Sequence, residues 1–251
     1  MELEREGGLA IQTPRPPERQ KGSSAVPVTP AKENRQVARA VRARLLRWWR
    51  ENRRALPWRE APDPFHVLLA EVLLQKTPWW KVARAYEVLL ARWPTPELLA
   101  SASLEELADV VRPLGIVSRT PRIRELAAAV AQRRGVPTKE ADLRALPGVG
   151  EYVARAVRCF AFRRPEPLVD SVSGRVLRRI FGLPEVGEPG RDAAVWEVAR
   201  AVAGSVKAAE VNWALLDLAA AVCKPRRPRC WNCPVAGHCA WARRHSKVKP
   251  A

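Results

Sequence analysis

Residues 146–170 read LPGVGEYVARAVRCFAFRRPEPLVD, with Gly148 and Gly150 placed between two segments of helical character. We expect both glycines to adopt positive φ angles and to turn the chain tightly between the helices. The second helix then begins at Gly150 with backbone N–H groups that lack intrahelical partners and suit phosphate oxygens. An ordinary helix–helix connection is the alternative. The small and apolar residues that follow favour a hairpin that binds a nucleic acid backbone through Gly148, Val149 and Gly150.

Hydrophobic residues recur at helical spacing from Val37 onward, and Pro57 should end the first helix. Ser103 and Glu106 form a predicted capping box before a further helix. No segment alternates polar and apolar residues as a strand does, so the predicted fold class is all-α. Residues 1–35 contain five prolines and no apolar period, which predicts a disordered tail. The other predicted helices cover residues 66–80, 82–93, 122–133, 151–162, 171–181, 191–204 and 209–222.

The charge of the chain is strongly positive, because 44 Lys and Arg outnumber 26 Asp and Glu, for a net charge of +18. Such a charge indicates a polyanionic partner, and nucleic acid is the commonest one. A membrane surface is the competing partner. However, no apolar run approaches the roughly 18–20 residues of a spanning helix, and residues 1–11 lack the apolar stretch of a signal peptide. We therefore expect a cytoplasmic, nucleoid-associated protein that binds double-stranded DNA and no membrane.

Four of the five cysteines lie close together near the C-terminus with the spacing C-x6-C-x2-C-x5-C. In a reducing compartment this pattern indicates a metal site rather than disulfides. The spacing alone leaves Zn²⁺ and a [4Fe–4S] cluster open, since both accept four thiolates. Arg226, Arg227 and Arg229 lie between the first two cysteines, and we expect them to contact the DNA backbone. The remaining Cys159 is interpreted as buried packing. The four predicted ligands are Cys223, Cys230, Cys233 and Cys239.

Residues 146–183 resemble the helix-hairpin-helix, Gly/Pro-rich loop and Asp signature of base-excision DNA glycosylases. The cysteine spacing after the helix at residues 210–218 is similar to the cluster loop of endonuclease III and its MutY relatives, which implies a [4Fe–4S] cluster. The resemblance spans residues 37–245. It implies two helical lobes with a DNA cleft between them. These are a six-helix barrel at residues 62–163 that includes the hairpin at about 141–162, and a cluster lobe formed by residues 36–61 and 164–245, followed by a basic tail at 246–251.

Asp170 stands about twenty residues after the hairpin, where the family places its catalytic aspartate. A carboxylate there stabilises positive charge on the sugar and can activate water, although Asp170 also precedes a helix and is a candidate N-cap.

Residues 69–77 look like the matching helix of the MutY and mismatch thymine enzymes, and Glu71 aligns with their pocket glutamate. Gln75 and Lys76 fall where the family inserts a side chain into the gap left by the flipped base; exposed polar positions are the alternative for both. Trp79 and Trp80 follow, and either wedge the DNA or pack inside.

Residue 152 separates the branches of this family. Bifunctional relatives carry a Lys there, which forms a Schiff base, and MutY enzymes carry Ser. Tyr152 instead resembles thermophile mismatch glycosylases, where it could stack on the flipped base; a core aromatic is the alternative. Residues 114–119 replace the tyrosine-rich segment of MutY, and the chain has no room for the second MutY domain. Val172 replaces the Asn or His that relatives place two residues after the aspartate.

The sequence thus predicts a monomeric, monofunctional glycosylase that removes thymine or uracil opposite guanine from double-stranded DNA. An adenine glycosylase without its reading domain is one alternative, which Glu71 supports and Tyr152 opposes. A non-catalytic DNA-binding protein of the same fold is the alternative from another class. Val172 favours it, whereas Asp170 and Glu71 oppose it.

Overall fold

The computed structural model describes residues 32–60 and 63–245, and all regular secondary structure within them is helical, with no strand. The all-α prediction is therefore confirmed. The predicted tails at residues 1–35 and 246–251 lie outside the described residues, except for the segment 32–35. The α-helices are α1 (Lys32–Asn52), α2 (Pro57–Glu60), α3 (Pro64–Leu73), α4 (Trp79–Arg92), α5 (Pro96–Ser101), α6 (Leu104–Val111), α7 (Thr120–Gln132), α8 (Glu140–Arg144), α9 (Glu151–Phe160), α10 (Ser171–Phe181), α11 (Ala193–Ala203), α12 (Ala208–Ala221) and α13 (Ala240–His245).

Two helices, α6 and α10, are capped by side chains that the sequence marks as capping residues. Ser103 accepts a hydrogen bond from the backbone N–H of Glu106, and the Glu106 carboxylate reaches back to the backbone of Ser103, so the predicted capping box is confirmed. Asp170 caps α10 in the same way, and Gly182 ends that helix in the left-handed conformation. These local bonds fix where α6 and α10 begin.

Two predicted helix boundaries were wrong. The first helix begins at Lys32 rather than Val37, so residues 32–35 belong to α1 and not to a disordered tail, and it ends at Asn52, before Pro57 is reached. The predicted helix at residues 66–80 is broken after Leu73, and α4 begins separately at Trp79. Between them Lys76 has a φ of 60°, and Pro78 lacks the N–H that a continuous helix needs.

The helices pack as two sets around a continuous apolar core. In one set, α1 contacts α11 and α12, while α10 contacts α11, α12 and α13. In the other set, α3 contacts α9, α5 contacts α7, and α4 contacts α6. Trp213 on α12 joins the two sets, because its ring stacks on Trp49 of α1 at 5.9 Å and on Phe160 of α9 at 4.9 Å between centroids. The ends of α3, α9, α10 and α12 therefore meet near this junction.

Two further sequence expectations can be compared with this fold. Among the described residues, no helix is long and apolar enough to cross a membrane. The Cys159 side chain is completely buried on α9, where Asn212 Nδ2 lies 3.4 Å from its sulfur. Cys159 thus packs inside the protein, as predicted.

Candidate active site

A cleft of about 830 Å³ opens where the two sets of helices meet. The cleft brings together five residues that the sequence analysis singled out from three separate segments of the chain. Its walls also contain four tryptophans, which give it broad apolar faces suited to a base or a sugar. The predicted site residues that line it are Glu71, Gln75, Lys76, Tyr152 and Asp170.

The Asp170 carboxylate is held by one of its two oxygens. Oδ1 accepts hydrogen bonds from the Val172 N–H at 3.0 Å, the Ser173 N–H at 2.6 Å and the Ser173 hydroxyl at 2.7 Å. None of the described residues donates to Oδ2 at hydrogen-bond distance. The two alternatives for Asp170 are therefore compatible, because one oxygen caps α10 while the other is available to a group bound in the cleft.

Glu71 is buried in the wall of the cleft, with 7% of its surface exposed. Burial raises its pKa to about 7; the nearby Arg59 guanidinium opposes this shift, and the Asp170 carboxylate adds to it. A carboxyl group with a pKa of about 7 is present in both protonation states at neutral pH. Glu71 can therefore donate a proton to a bound base.

Tyr152 lies on the first turn of α9, half-buried at the cleft wall. Burial raises the pKa of its phenol well above 10, and the negative fields of Asp170 and Glu71 act in the same direction. Tyr152 is therefore a neutral O–H group and an aromatic face at neutral pH. Val172 also lines the cleft, where its side chain adds an apolar contact but no hydrogen bond.

A buried charged network behind Glu71 was not anticipated from the sequence. Arg59 donates to both oxygens of Asp217, at 2.9 and 3.2 Å from Nη1 and 3.2 Å from Nη2, and its guanidinium lies 5.5 Å from the Trp213 ring. Arg54 Nε and Trp49 Nε1 also donate to Asp217, at 2.6 and 2.9 Å. The available signal was Asp217 itself, because a carboxylate in an apolar helix needs a buried partner.

The hairpin is attached to the helix that carries Glu71. Gln75 Nε2 donates to the carbonyl oxygen of Gly148 at 3.0 Å, and the Gln75 carbonyl accepts from Arg119 Nη1 at 2.9 Å. Gly148 has the predicted positive φ, at 79°, but the prediction for Gly150 was wrong, because its φ is −89°. Gly150 is exposed, and a Cβ atom added to it would meet no other atom within 4 Å, which leaves room for a phosphate. Val149 is buried, so only its backbone faces a ligand.

The segment after Gln75 forms the rim of the cleft. Lys76 is exposed and has a left-handed backbone, which turns the chain before α4. Trp79 is half-buried and lies against Arg54, with 4.8 Å from the guanidinium carbon to the ring centroid. Trp80 is 56% exposed and contacts Trp79 edge to face. The two tryptophans therefore differ: Trp79 packs against Arg54, while the Trp80 ring is open to a ligand.

The four C-terminal cysteines line one further cavity, whose remaining walls are mainly apolar. Within residues 32–60 and 63–245, no three His, Cys, Asp or Glu side chains are arranged to hold a single metal ion. Four cysteine thiolates in an otherwise apolar cavity are the ligand set that a [4Fe–4S] cluster takes, and one zinc ion accepts the same set. Burial raises the pKa of the Cys233 thiol to about 12, so binding of the cluster must displace a proton. The residues that would hold the cluster are Cys223, Cys230, Cys233 and Cys239.

The loop after Cys223 reaches the cleft by its first residues only. Lys224 and Pro225 line the cleft, whereas Arg226, Arg227 and Arg229 are exposed outside it. The three arginines are therefore not part of the cleft wall.

Comparison with known proteins agrees with this geometry. Residues 69–200 match the HhH-GPD superfamily of base excision DNA repair proteins, and residues 223–239 match the iron–sulfur binding domain of endonuclease III. The first match includes Glu71, Tyr152 and Asp170, and the second begins and ends at predicted cluster ligands.

Individual relatives cover most of the chain. A thymine-DNA glycosylase of Aeropyrum pernix is 39% identical over 80% of this chain and 94% of its own length. An adenine DNA glycosylase of Mycobacterium tuberculosis is 38% identical over 82% of this chain and 68% of its own. Among solved structures, a thermostable thymine-DNA glycosylase superposes with a TM-score of 0.77 and 28% identity, over 83% of this chain and 98% of that one.

Proposed function

Because this chain belongs to the HhH-GPD superfamily of base excision DNA repair proteins, we propose that it removes thymine or uracil mispaired with guanine and leaves the DNA strand intact. The protein is a DNA glycosylase of base excision repair, binds DNA, and carries a [4Fe–4S] cluster on its C-terminal cysteines. We propose in addition its choice of base, its lack of strand cleavage and its monomeric state.

The observation that carries the proposal is Tyr152 at the cleft wall, beside the carboxylates of Glu71 and Asp170. A tyrosine at this place offers no amine to attack the sugar, so water is left as the nucleophile. The thymine specificity is supported by the names of relatives, because the enzyme of A. pernix is called a thymine-DNA glycosylase.

In the proposed reaction, the bond between the sugar C1′ and the base nitrogen breaks, and its electron pair leaves with the base. Glu71 donates a proton to the base, since its pKa of about 7 leaves much of it protonated at neutral pH. Oδ2 of Asp170 stabilises the positive charge that develops on the sugar. Water then bonds to C1′ and gives one of its protons to Asp170, and a proton returns from Asp170 through solvent to Glu71, so that base and abasic sugar together account for one added water.

The binding surfaces follow from the same placement. The exposed N–H groups at Gly150 would hold a phosphate, and the loop of Arg226, Arg227 and Arg229 would hold the backbone further along. Gln75 and Lys76, at the rim, would occupy the gap left by the flipped base. The predicted lobes at residues 62–163 and at 36–61 with 164–245 would place the DNA between them.

The decisive experiment is a panel of duplexes that carry G·T, G·U, A·G, or A opposite oxidised guanine, incubated with excess protein and then treated with alkali. We expect release of thymine and uracil from the guanine mismatches and strand breaks only after alkali. Release of adenine instead would make the protein an adenine glycosylase, an alternative that the relative from M. tuberculosis favours. Tight binding with no release from any of these duplexes would contradict the proposed choice of thymine or uracil.

A further inference from the structure

Helix α4 carries a regular stripe of aromatic, cationic and apolar side chains, of which only Trp80 also lines the cleft. Trp80, Arg84, Val88 and Arg92 follow each other at four-residue intervals, so they lie along one face of the helix. Trp80 and Val88 are 56% and 42% exposed, and both arginines are exposed as well. Neither arginine lies within salt-bridge distance of a carboxylate of the described residues, although Arg92 is 6.0 Å from the Trp93 ring and its charge acts on Glu106.

This stripe forms one wall of a groove of about 540 Å³ between α4, α6 and the turn after α6, which we call the α4 groove. Lys81 adds a third cation, and Val110 and Pro113 supply the apolar opposite wall. The single acidic residue in the wall is Asp109, whose carboxylate already accepts from Arg112 Nη2 at 2.8 Å. The groove is therefore positively charged and has apolar walls.

The α4 groove is continuous with the DNA cleft, because the Trp80 ring lines both. Helix α4 starts at the rim that follows Gln75 and Lys76 and leads away from it. Its 14 residues span about 21 Å, a length that corresponds to roughly six base pairs of duplex. A strand that leaves the cleft at Trp80 can therefore follow the helix for about half a turn of DNA.

We propose that the α4 groove is a second DNA-binding site, which takes the sugar–phosphate backbone of one strand flanking the lesion. Lys81, Arg84 and Arg92 pair with successive phosphates, and Trp80 stacks on a base or sugar at the rim. Cations alone would also attract an acidic protein; continuity with the cleft favours DNA. The inference rests on the proposed function only in placing the lesion in the cleft.

The test uses full-length protein and duplexes that contain a tetrahydrofuran abasic-site analogue opposite guanine, which bind without any base release. One duplex has about twelve base pairs on each side of the analogue, and two others have either flank shortened to about three. For Arg84→Ala/Arg92→Ala, we expect the slope of log Kd against log salt to fall by about two on the full duplex. On the duplex in which the flank bound by the α4 groove is shortened, the variant and the wild type should have the same slope, because the two arginines then have no phosphates to contact.

Arg133→Ala/Arg200→Ala is the matched control, since both arginines are exposed and line neither the cleft nor the α4 groove. This control should keep the wild-type slope on every duplex. Trp80→Ala should weaken binding to the full duplex by about tenfold, whereas Trp80→Phe should retain most of the affinity because its ring can still stack.

Two results would overturn the proposal. If Arg84→Ala/Arg92→Ala kept the wild-type slope on the full duplex, the α4 groove would not bind DNA, and a protein would be the ligand to test instead. An equal loss on all three duplexes would mean that the arginines act on DNA binding in general and do not contact a flank. Because no base release is measured, failure of the proposed base specificity would not change either result.

Discussion

The Nη1 atom of Arg179 lies 3.7 Å from the sulfur of Cys223. Arg179 belongs to α10, the helix whose N-cap is Asp170. The same guanidinium donates to the carbonyls of Lys224 at 2.8 Å and Pro225 at 2.7 Å, and it lies 4.6 Å from the Trp241 ring. Helix α10 therefore connects the cleft at one end with the cysteine loop at the other. The geometry makes Arg179 a positioning residue for that loop, since it acts through Cys223 and the two carbonyls.

Replacement of Arg179 should loosen the cluster. Wild-type protein purified in air should be yellow-brown and hold about four irons per chain. Arg179→Ala removes the contacts to Cys223, Lys224 and Pro225, so we expect a lower iron content and faster bleaching near 400 nm during storage. Arg244→Ala, an exposed change on α13, is the control and should hold iron like the wild type. Equal iron content and bleaching in all three proteins would contradict the positioning role.

Asp170→Asn should separate chemistry from folding. The variant loses the negative charge at Oδ2, and we expect single-turnover base release to fall by about 10²–10³. Its thermal midpoint should stay close to that of the wild type, because Asn caps a helix about as well as Asp. Ser173→Ala, which removes one donor to Oδ1 and keeps the charge, is the comparison and should lose far less activity. Base release by Asp170→Asn at the wild-type rate would exclude Asp170 from the mechanism.

Glu71 should make both activity and stability depend on pH. If the protonated carboxyl is the acid, base release should decline as pH rises through about 7, and Glu71→Gln should lose this decline together with most of the activity. The folded-state pKa is raised from 4.5, so the folded protein holds this proton more tightly than the unfolded chain does. Its contribution to stability is therefore present below pH 4.5 and lost as pH rises to about 7.

Between pH 4.5 and pH 7, the contribution of Glu71 to the free energy of unfolding falls by about 3 kcal/mol, as the ratio of its acid constants in the unfolded and folded states requires. In urea unfolding, Glu71→Gln should match the wild type near pH 4 and exceed its stability at pH 8. A variant that is less stable than the wild type at both pH values would show that the buried carboxylate is not the destabilising group.

The chemistry of the Tyr152 side chain decides whether borohydride can trap a covalent adduct between the protein and DNA. Borohydride should trap no adduct between wild-type protein and DNA, because a phenol cannot form a Schiff base. Tyr152→Lys should gain some trapping and some strand cleavage, since an amine then lies beside the sugar. The cleft also contains Lys76 and Lys224, so an adduct with the wild type would implicate one of these amines. Lys76→Ala and Lys224→Ala would then identify which of them reacts.

Removal of the buried pair should cost much more than removal of an exposed one. Asp217→Ala leaves Arg59 without its carboxylate inside the protein, and we expect a loss of about 3–5 kcal/mol in the free energy of unfolding. Asp109→Ala breaks the exposed pair with Arg112, which has a similar distance of 2.8 Å, and should cost less than about 1 kcal/mol. Similar losses for the two variants in urea unfolding would contradict the role assigned to burial.

The sequence predicted the features that depend on neighbouring residues. Helical periodicity, the capping residues Ser103 and Asp170, the tight turn at Gly148 and the cysteine spacing are each set by residues only a few positions apart. The helix boundaries near Lys32 and Leu73 were missed because the prediction used only local residue patterns, and no such pattern marks these boundaries. The apolar pattern continues through residues 66–80, and the left-handed turn at Lys76 carries no glycine to mark it.

The tertiary structure alone decided the electrostatics of the site. Arg59 and Asp217 are 158 residues apart in the chain, and Gln75 and Gly148 are 73 apart. No periodicity encodes such pairs, because they form only when the helices pack. The same holds for Glu71, whose type and position could be identified from the sequence. Its raised pKa comes from desolvation in the assembled cleft and from the charges of Arg59 and Asp170, which the fold brings close to it.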